Sequence, residues 1–389
     1  MKILATLSRF PYPSNKGDKL RAYHQLKYLA INHEVHLFCL SDEVVDDWQI
    51  KHMQEYFASI HVFKLNKASI GWRLLLNFFG HKPFQVAYFT DATAKKKLME
   101  LREQIQPDLI YSQLVRMAEY VRDMKGVQKF IDYQDAFSKG LQRRLKFNNW
   151  FKRIFINMEY KRMKSYEESV FDDFDQCGII SLQDANHFPA SQRNRFHIIP
   201  NGIDSDYFAP AGLEKKIDLL FTGNMQYEPN VNCVHYIIQK VLPLLFEKYP
   251  DLYLMAAGTS PVPSLRRAEG RHLKLTGWVD DLRDYYDQAR IFIAPLQISI
   301  GMQNKILEAM SMGLPVITTS ICNNPIGAKH ARDLIVADTP FDCAMAIEQL
   351  LSNPEMAKEI GQNARKFIEK KFKWDKQNAR LPFVYVETM

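Results

Sequence analysis

The stretch Ile291 to Thr319, IFIAPLQISIGMQNKILEAMSMGLPVITT, limits the possible folds more than any other part of this chain. Ile291–Ala294 has the length and composition of a buried parallel strand. Leu296–Gly301 reads as the loop after it and Met302–Met312 as a helix. Gly313 is that helix's left-handed cap, and Pro315 opens the next apolar run, Val316–Thr319. Such a corner turns the amides of Met302, Gln303 and Asn304 toward whatever lies above the sheet, where the helix dipole favours an anion, above all a phosphate. Glu308 lies two turns beyond Gly301 on the same face, placed for its oxygens to accept both hydroxyls of a ribose. Together these residues describe a nucleotide grip. The alternative is a plain βαβ unit in which Gly301 only makes a turn and Glu308 is solvated and paired with Lys305.

A chain of 389 residues is too long for one core, and two domains of similar size are expected. No apolar run approaches a membrane span, and Lys2–Leu7 is too short and too soon followed by Arg9 for a signal peptide, so a cytoplasmic protein is expected. Cys39, Cys177, Cys233, Cys322 and Cys343 are odd in number and scattered, which reads as buried thiols rather than a disulfide or zinc framework. The net charge of +7 is uneven. Residues 1–200 hold 30 Lys+Arg against 22 Asp+Glu, whereas residues 201–389 hold 21 against 22. A basic first half and a neutral second half suggest that one domain alone meets an anionic partner.

The first half alternates strand candidates (Lys2–Leu7, Glu34–Leu40, Ile60–Lys64, Asp108–Ser112, Lys129–Asp132) with helices near Asp18–Ala30, Ala92–Gln106 and Arg116–Met124. Gly178–Ser181 is expected to close this sheet. The rhythm recurs with Asp218–Thr222, Leu252–Ala257, Leu273–Leu275, Ile291–Pro295, Pro315–Thr319 and Leu334–Val336 as strands. Alternation of this kind means a parallel sheet with helices on both faces, here twice. Pro200, Asn201 and Gly202, in Ile198–Phe208 (IIPNGIDSDYF), mark the junction. Ala357–Arg380 is helical in pattern.

The wording NKILEAMSMGLPVI resembles the nucleotide-sugar segment of family 4 glycosyltransferases, and PNGID followed by an aromatic resembles their interdomain crossing. The resemblance therefore spans both halves. It implies an α/β chain of the GT-B type, with two Rossmann-like, doubly wound parallel-sheet domains facing a cleft. The acceptor-binding domain would be 1–197, the nucleotide-sugar (donor) domain 198–370, and 371–389 a tail helix packing back on the first domain. It also implies transfer of a sugar, with retention, from a nucleotide diphosphate sugar.

Asp218 to Asn230, DLLFTGNMQYEPN, is a strand, a glycine turn at Gly223 and a helix start. Many members of the family carry Arg after that glycine and a Lys further on to neutralise the donor diphosphate. Here Asn224 and Pro229-Asn230 stand instead, as GNMxYxPN does in a subgroup of exopolysaccharide-associated sugar transferases. Positive charge must then come from Lys305, Arg9, Lys16 and the helix amides, and Asn224 either contacts ligand or caps a helix. Gly277-Trp278-Val279 resembles the segment that reads the nucleobase by its backbone with the aromatic alongside. The alternative is a Trp packed at a strand end, with Asp280 or Asp281 capping the next helix. Family members commonly place a second glutamate eight residues before the ribose-binding one. Ile300 stands there, which suggests tolerance of a deoxysugar donor.

On the acceptor side, Pro11 to Arg21 follows the first strand and opens a helix that Asp18 can cap. In the related enzymes the glycine matching Gly17 approaches the donor phosphates. Its basic neighbours are equally consistent with a solvated helix start. Phe130 to Lys139 ends a strand at Asp132 and adds Asp135, either of which would orient an acceptor hydroxyl; the same subgroup shows this DxxDxxSxK arrangement. His24 and His36 read as core or surface residues. Arg143 to Lys164 holds Arg143, Arg144, Lys146, Lys152, Arg153, Lys161, Arg162 and Lys164 against Glu159 alone, with Trp150, Phe151, Ile154 and Phe155 among them. This composition suits peripheral contact with an anionic membrane, with a solvated face as the alternative. Nucleic acid is not expected, because no recognised module is present.

The expected protein is a cytoplasmic, membrane-peripheral glycosyltransferase of exopolysaccharide or cell-surface glycan biosynthesis, acting on a saccharide or lipid-linked acceptor. Asp132, Asp135 and Lys305 are the candidate catalytic residues. Gly17, Gly223, Asn224, Gly277, Trp278, Val279, Gly301, Met302, Gln303, Asn304, Lys305 and Glu308 are the candidate donor residues. No metal or other cofactor is expected. A catalytically silent homologue serving as an assembly subunit, or a nucleotide-sugar epimerase of the same architecture, are the rival readings.

Overall fold

Apolar runs with no polar face build strands that are covered on both sides, and the computed structural model of the chain is organised around two sheets of them. It describes residues 1–14, 16–145, 150–298 and 301–383. Ile300, Lys146 and the end of the tail at 384–389 therefore lie outside the described residues. The chain divides into unit 1, Met1–Asn201 with Gln377–Met389, and unit 2, Gly202–Lys376.

Unit 1 holds β1 (Lys2–Leu7), β2 (Glu34–Ser41), β3 (Ser59–Lys64), β4 (Leu109–Gln113), β5 (Gln128–Asp132), β6 (Gln176–Ile179) and β7 (Phe196–Ile198). They pair in parallel in the order β3-β2-β1-β4-β5-β6-β7. Side chains alternate across β1: Ile3, Ala5 and Leu7 enter one core cluster and Leu4 the other, so a single strand helps to build both layers. The strand at Gly178 does not close the sheet. β7 does, a three-residue edge too short to carry a periodic signal.

Unit 2 holds β8 (Ile217–Thr222), β9 (Leu254–Ala257), β10 (Leu273–Leu275), β11 (Ala289–Ala294), β12 (Val316–Thr318) and β13 (Ile335–Val336), parallel in the order β10-β9-β8-β11-β12-β13. In both sheets the order reverses once, at β1/β4 and at β8/β11. The connections after those strands diverge and leave a crevice at the carboxyl edge.

Several helices differ from the pattern read in sequence. Arg116–Met124 is a 3-10 turn, Val115–Met117, followed by one helical turn, Ala118–Val121. Ala357–Arg380 is two helices, Pro354–Lys371 and Trp374–Asn378, because the helix stops at Phe372, whose carbonyl accepts from Ile203 N at 2.6 Å. Leu381 and Phe383 beyond them enter the unit 1 core, where Phe383 meets Phe130 with ring centroids 5.1 Å apart. All five cysteines are buried and unbridged.

The helix after β1, Gly17–Leu29, anchors unit 1 from within. Its Arg21 is fully buried and forms a two-pronged ion pair with Asp132 at the end of β5, Nε to Oδ2 at 2.6 Å and Nη2 to Oδ1 at 2.9 Å. Nη1 donates to Ile199 O at 2.7 Å and to Asn201 Oδ1 at 3.0 Å. The Asp132 charge holds the guanidinium above its ordinary pKa even though burial opposes it. Arg21→Met strands a buried carboxylate and is expected to lower unit 1 stability by about 3–5 kcal/mol. The urea midpoint of the unit 1 transition measures this, and a loss below about 1 kcal/mol would show the pair to be dispensable.

Candidate functional site

At the reversal point of the unit 2 sheet, two connections meet. One follows β8, whose apolar run Leu219–Phe221 delivers Gly223 to the carboxyl edge. Gly223 (φ +149°) and Gly258 (φ +142°), which follows β9, bring their backbones together, so that a Cβ on Gly258 would stand 1.9 Å from Gly223 O. A Cβ on Gly223 would stand 2.7 Å from Asn230 Nδ2 and 2.9 Å from Lys305 Nζ. The positive φ at Gly223 itself favours glycine, and a side chain there would also displace the ends of Asn230 and Lys305. Asn224 takes the role of neither cap nor cation: it is exposed, and its Oδ1 closes a turn with Gln226 N at 2.8 Å. Tyr227 is the N-cap of the helix that follows, Glu228–Tyr236.

The second connection follows β11 and leads through Gly301 (φ +59°) into the helix Asn304–Ser311. The helix is shorter than its pattern, because Met302 is buried in the core and Gln303 is the extended N-cap. Lys305 and Glu308 do not pair with each other. Lys305 Nζ donates to Asn230 Oδ1 at 2.6 Å and lies 4.3 Å from the Phe221 ring centroid. Asn230 in turn donates to Asn224 O at 2.9 Å. Desolvation pushes the Lys305 ammonium down to about 8. Glu308 Oε2 accepts from Tyr286 OH at 2.8 Å, and Thr222 Oγ1 lies 2.7 Å from that phenol oxygen. Burial raises the Glu308 carboxyl, with Tyr286 and Lys305 opposing it. Tyr286 fixes one oxygen of Glu308.

Gly277 (φ +68°) bridges Gly258 across the same edge, and Gly258 N donates to Thr276 Oγ1 at 3.1 Å. Trp278 is 68% exposed and so is not a strand-end core residue. Val279 beside it is half-buried. Asp281 rather than Asp280 serves the next helix, Arg283–Gln288, accepting from Arg283 N at 2.8 Å. Unit 2 thus gathers bare glycine backbone, one desolvated cation, one oriented carboxylate and an exposed indole around its sheet edge.

In unit 1 the two candidate aspartates separate. Asp132 is committed to Arg21 and has no oxygen to offer an acceptor. Asp135 keeps a buried Oδ1 without a partner, while its Oδ2 lies 3.4 Å from Gln134 Nε2. Desolvation, then Asp184, raises its carboxyl to about 7. Gln134 sits in the left-handed region (φ +60°), and Gly17 faces it, a Cβ there lying 3.9 Å from Gln134 Nε2. The rest of the DxxDxxSxK segment is internally tied: Ser138 to Glu167, and Lys139 Nζ to Asp184 Oδ1 at 3.1 Å. Asp18 does not cap the first helix. It pairs with Arg9 at 2.7 Å, and Lys16 pairs with Glu43 at 3.1 Å.

Tyr286, Thr222, Asn230 and Gly258 complete the unit 2 site without having been singled out by role in the sequence. Asn230 had a signal in the GNMxYxPN run. Tyr286 had none, since its distance to Glu308 is a property of the fold. Among the described residues no group of three or more His, Cys, Asp or Glu is placed to hold a metal ion.

Comparison with known proteins adds three findings. Residues 216–353 match the family described as glycosyl transferases group 1. An uncharacterised 44.6 kDa protein in the cps region of Klebsiella pneumoniae is 24% identical over 95% of this chain and 96% of its own. Two solved structures share the fold: sucrose-phosphate synthase from Thermosynechococcus elongatus (TM-score 0.71, 14% identity, covering 98% of this chain and 97% of that one) and Anabaena HepE in complex with UDP (TM-score 0.68, 13% identity, 98% of each).

With Lys305 titrating near 8, an anion bound beside it is held by a full charge below that pH and by a neutral amine above it. Affinity for inorganic pyrophosphate is therefore expected to fall as pH rises through about 8, and Lys305→Met to remove that step; calorimetric titration across the range checks both.

Proposed function

The chain is a GT-B glycosyltransferase of the group 1 type, and from that premise we propose that unit 2 binds a nucleotide diphosphate sugar whose sugar passes, with retention, to a saccharide or lipid-linked acceptor bound by unit 1. The observation that carries this reading is the pairing on one helix of Lys305, desolvated and aimed by Asn230, with Glu308, oriented by Tyr286. Lys305 and the opening turn of Asn304–Ser311 meet the diphosphate, with Gly223 and Gly301 allowing its close approach. Glu308 accepts the ribose hydroxyls, and Gly277, Trp278 and Val279 receive the base. Asp135, with its unpartnered oxygen, orients the acceptor hydroxyl. The UDP bound by Anabaena HepE makes a uridine nucleotide the first donor to try, and the relative from a cps region supports a role in cell-surface polysaccharide synthesis.

As the diphosphate departs, negative charge grows on it, and Lys305 together with the helix dipole stabilises that charge where Arg and Lys act in other members. The reaction is accordingly proposed to need no metal: transfer measured in excess chelator should equal that in magnesium, and loss of transfer that magnesium restores would refute this.

The assembly-subunit reading draws on one observation, the exposed Asn224 where a cation is common. Thermal unfolding of the wild type and Glu308→Ala with UDP, GDP, dTDP and ADP decides between the readings. One diphosphate is expected to raise the melting temperature of the wild type. Glu308→Ala should bind it about 10- to 150-fold more weakly, the worth of a hydrogen bond to a charged group at about 1.5–3 kcal/mol. A nucleotide response without transfer to any saccharide or lipid-linked acceptor would favour the assembly subunit.

A further inference from the structure

A helix on a folded domain turns its apolar stripe inward, and the helix Lys67–Asn77 in unit 1 carries a second apolar stripe that points outward. Trp72, Leu75 and Leu76 share one helical face, Phe79 follows in the turn after the helix, and all four are exposed, Trp72 by 63% and Phe79 by 87%. The inward face carries Ile70 and Leu74 with a charged residue, Arg73, whose guanidinium reaches Asp91 Oδ2 at 2.7 Å and Tyr88 O at 3.0 Å. Arg73 is thus held by the protein, whereas the apolar side is largely exposed, with Phe79 edge-on to Phe78 at 5.4 Å between ring centroids.

The opening turns of the helix Trp150–Phe171 repeat the arrangement. Trp150, Phe151, Ile154 and Phe155 are exposed by 58 to 63%, while Ile156 and Tyr160 pack partly buried against the core and full burial comes further along, at Met163 and Tyr166. The two apolar faces are neighbours: Arg162 donates to Asn77 O at 3.4 Å and to Phe78 O at 3.1 Å. Phe155 lies on the same face as Arg162, two turns or about 10 Å before it.

Charge identifies what covers this surface. From Tyr56 to Thr90 the chain has no Asp or Glu and four Lys or Arg. Over residues 150–164 of the second helix, Lys152, Arg153, Lys161, Arg162 and Lys164 face one acid, Glu159, whose carboxylate is taken up by Phe84 N at 3.0 Å and Gln85 N at 3.4 Å. Tryptophans and phenylalanines set among cations fit the interfacial region of a bilayer, where rings enter the acyl boundary and ammonium and guanidinium groups meet anionic headgroups. A second copy of this chain would bring the same positive charge against itself.

We infer that unit 1 docks on an anionic lipid bilayer through the outward faces of helices Lys67–Asn77 and Trp150–Phe171, with Trp72, Phe79, Trp150 and Phe151 entering the interface. No helix among the described residues is long and apolar enough to cross a membrane, so this contact is peripheral. The inference rests on the lipid-linked acceptor of the proposed function for its purpose, and on none of the donor residues for its geometry.

The test is flotation of the full chain with vesicles of phosphatidylcholine alone and of phosphatidylcholine with phosphatidylglycerol, at low and high salt. Binding is expected only with phosphatidylglycerol, weakened by salt, and with a blue shift of tryptophan emission. Trp72→Ser with Leu76→Ser and Phe79→Ser, and separately Phe151→Ser with Phe155→Ser, should each lower it roughly tenfold or more while melting temperature and circular dichroism stay unchanged. Absence of vesicle binding, or binding that neither variant alters, overturns the inference. So does light scattering that shows a dimer which the serine variants split, since the occupant would then be a second copy. The response to UDP is read on the same samples. A normal response without vesicle binding refutes the membrane surface alone, and vesicle binding without any nucleotide response refutes the donor site alone.

Discussion

An ammonium group held away from water by a single amide is the constraint around which unit 2 is arranged. Lys305 keeps its place only because Asn230 receives it, and Asn230 is in turn fixed by the backbone of Asn224. A side chain at Gly223 would push these two groups from their places, and the backbone contact of Gly223 with Gly258 leaves no room for one at Gly258. Three strands therefore end in bare backbone along one edge. The same helix that positions Lys305 places Glu308 one turn later, where Tyr286 takes one oxygen. Burial opposes the charged form of both groups, so the amine is a weaker base and the carboxyl a weaker acid than the same groups at a surface.

Unit 1 divides labour within a single turn of chain. Asp132 is spent on Arg21, which ties the first helix, the end of β5 and the segment after β7 into one buried knot. Because that knot holds β5 rigid at its end, the residues immediately beyond it can sit in less comfortable conformations. Gln134 is left-handed, and Asp135 keeps an oxygen without a partner. A left-handed residue and an unmet hydrogen bond stand within three residues of a fully buried ion pair.

Much of the architecture was legible because continuous apolar runs have few alternatives. β1 and β10 have the boundaries that their sequences suggest, and the turn glycines fall where the chain changes direction. The misreadings have physical causes. β7 is three residues long and borrows its identity from β6. The helix at Asn304 starts late because Met302 is drawn into the core. Asp132 and Asp135 look alike in sequence, and only the fold brings Arg21 to one of them. Tyr286 reaches Glu308 across 22 positions, a relation no local pattern encodes. Most instructive is Lys67–Asn77, whose stripe of Trp72, Leu75 and Leu76 has the periodicity of a core face yet points outward. Periodicity reports that a face is apolar and is silent on what covers it.

The last described residues of the chain finish the first unit to be made. Leu381 and Phe383 line the core that β1 opens, with Phe383 against Phe130. During synthesis the ribosome must therefore add all of residues 202–376 before unit 1 receives its final wall. At about 5–20 residues per second that is a delay on the order of ten seconds or more. In folding terms unit 2 is an insertion near the end of unit 1, complete while its host is still open. The unit 1 sheet is thus completed late in synthesis, by residues that follow unit 2 along the chain.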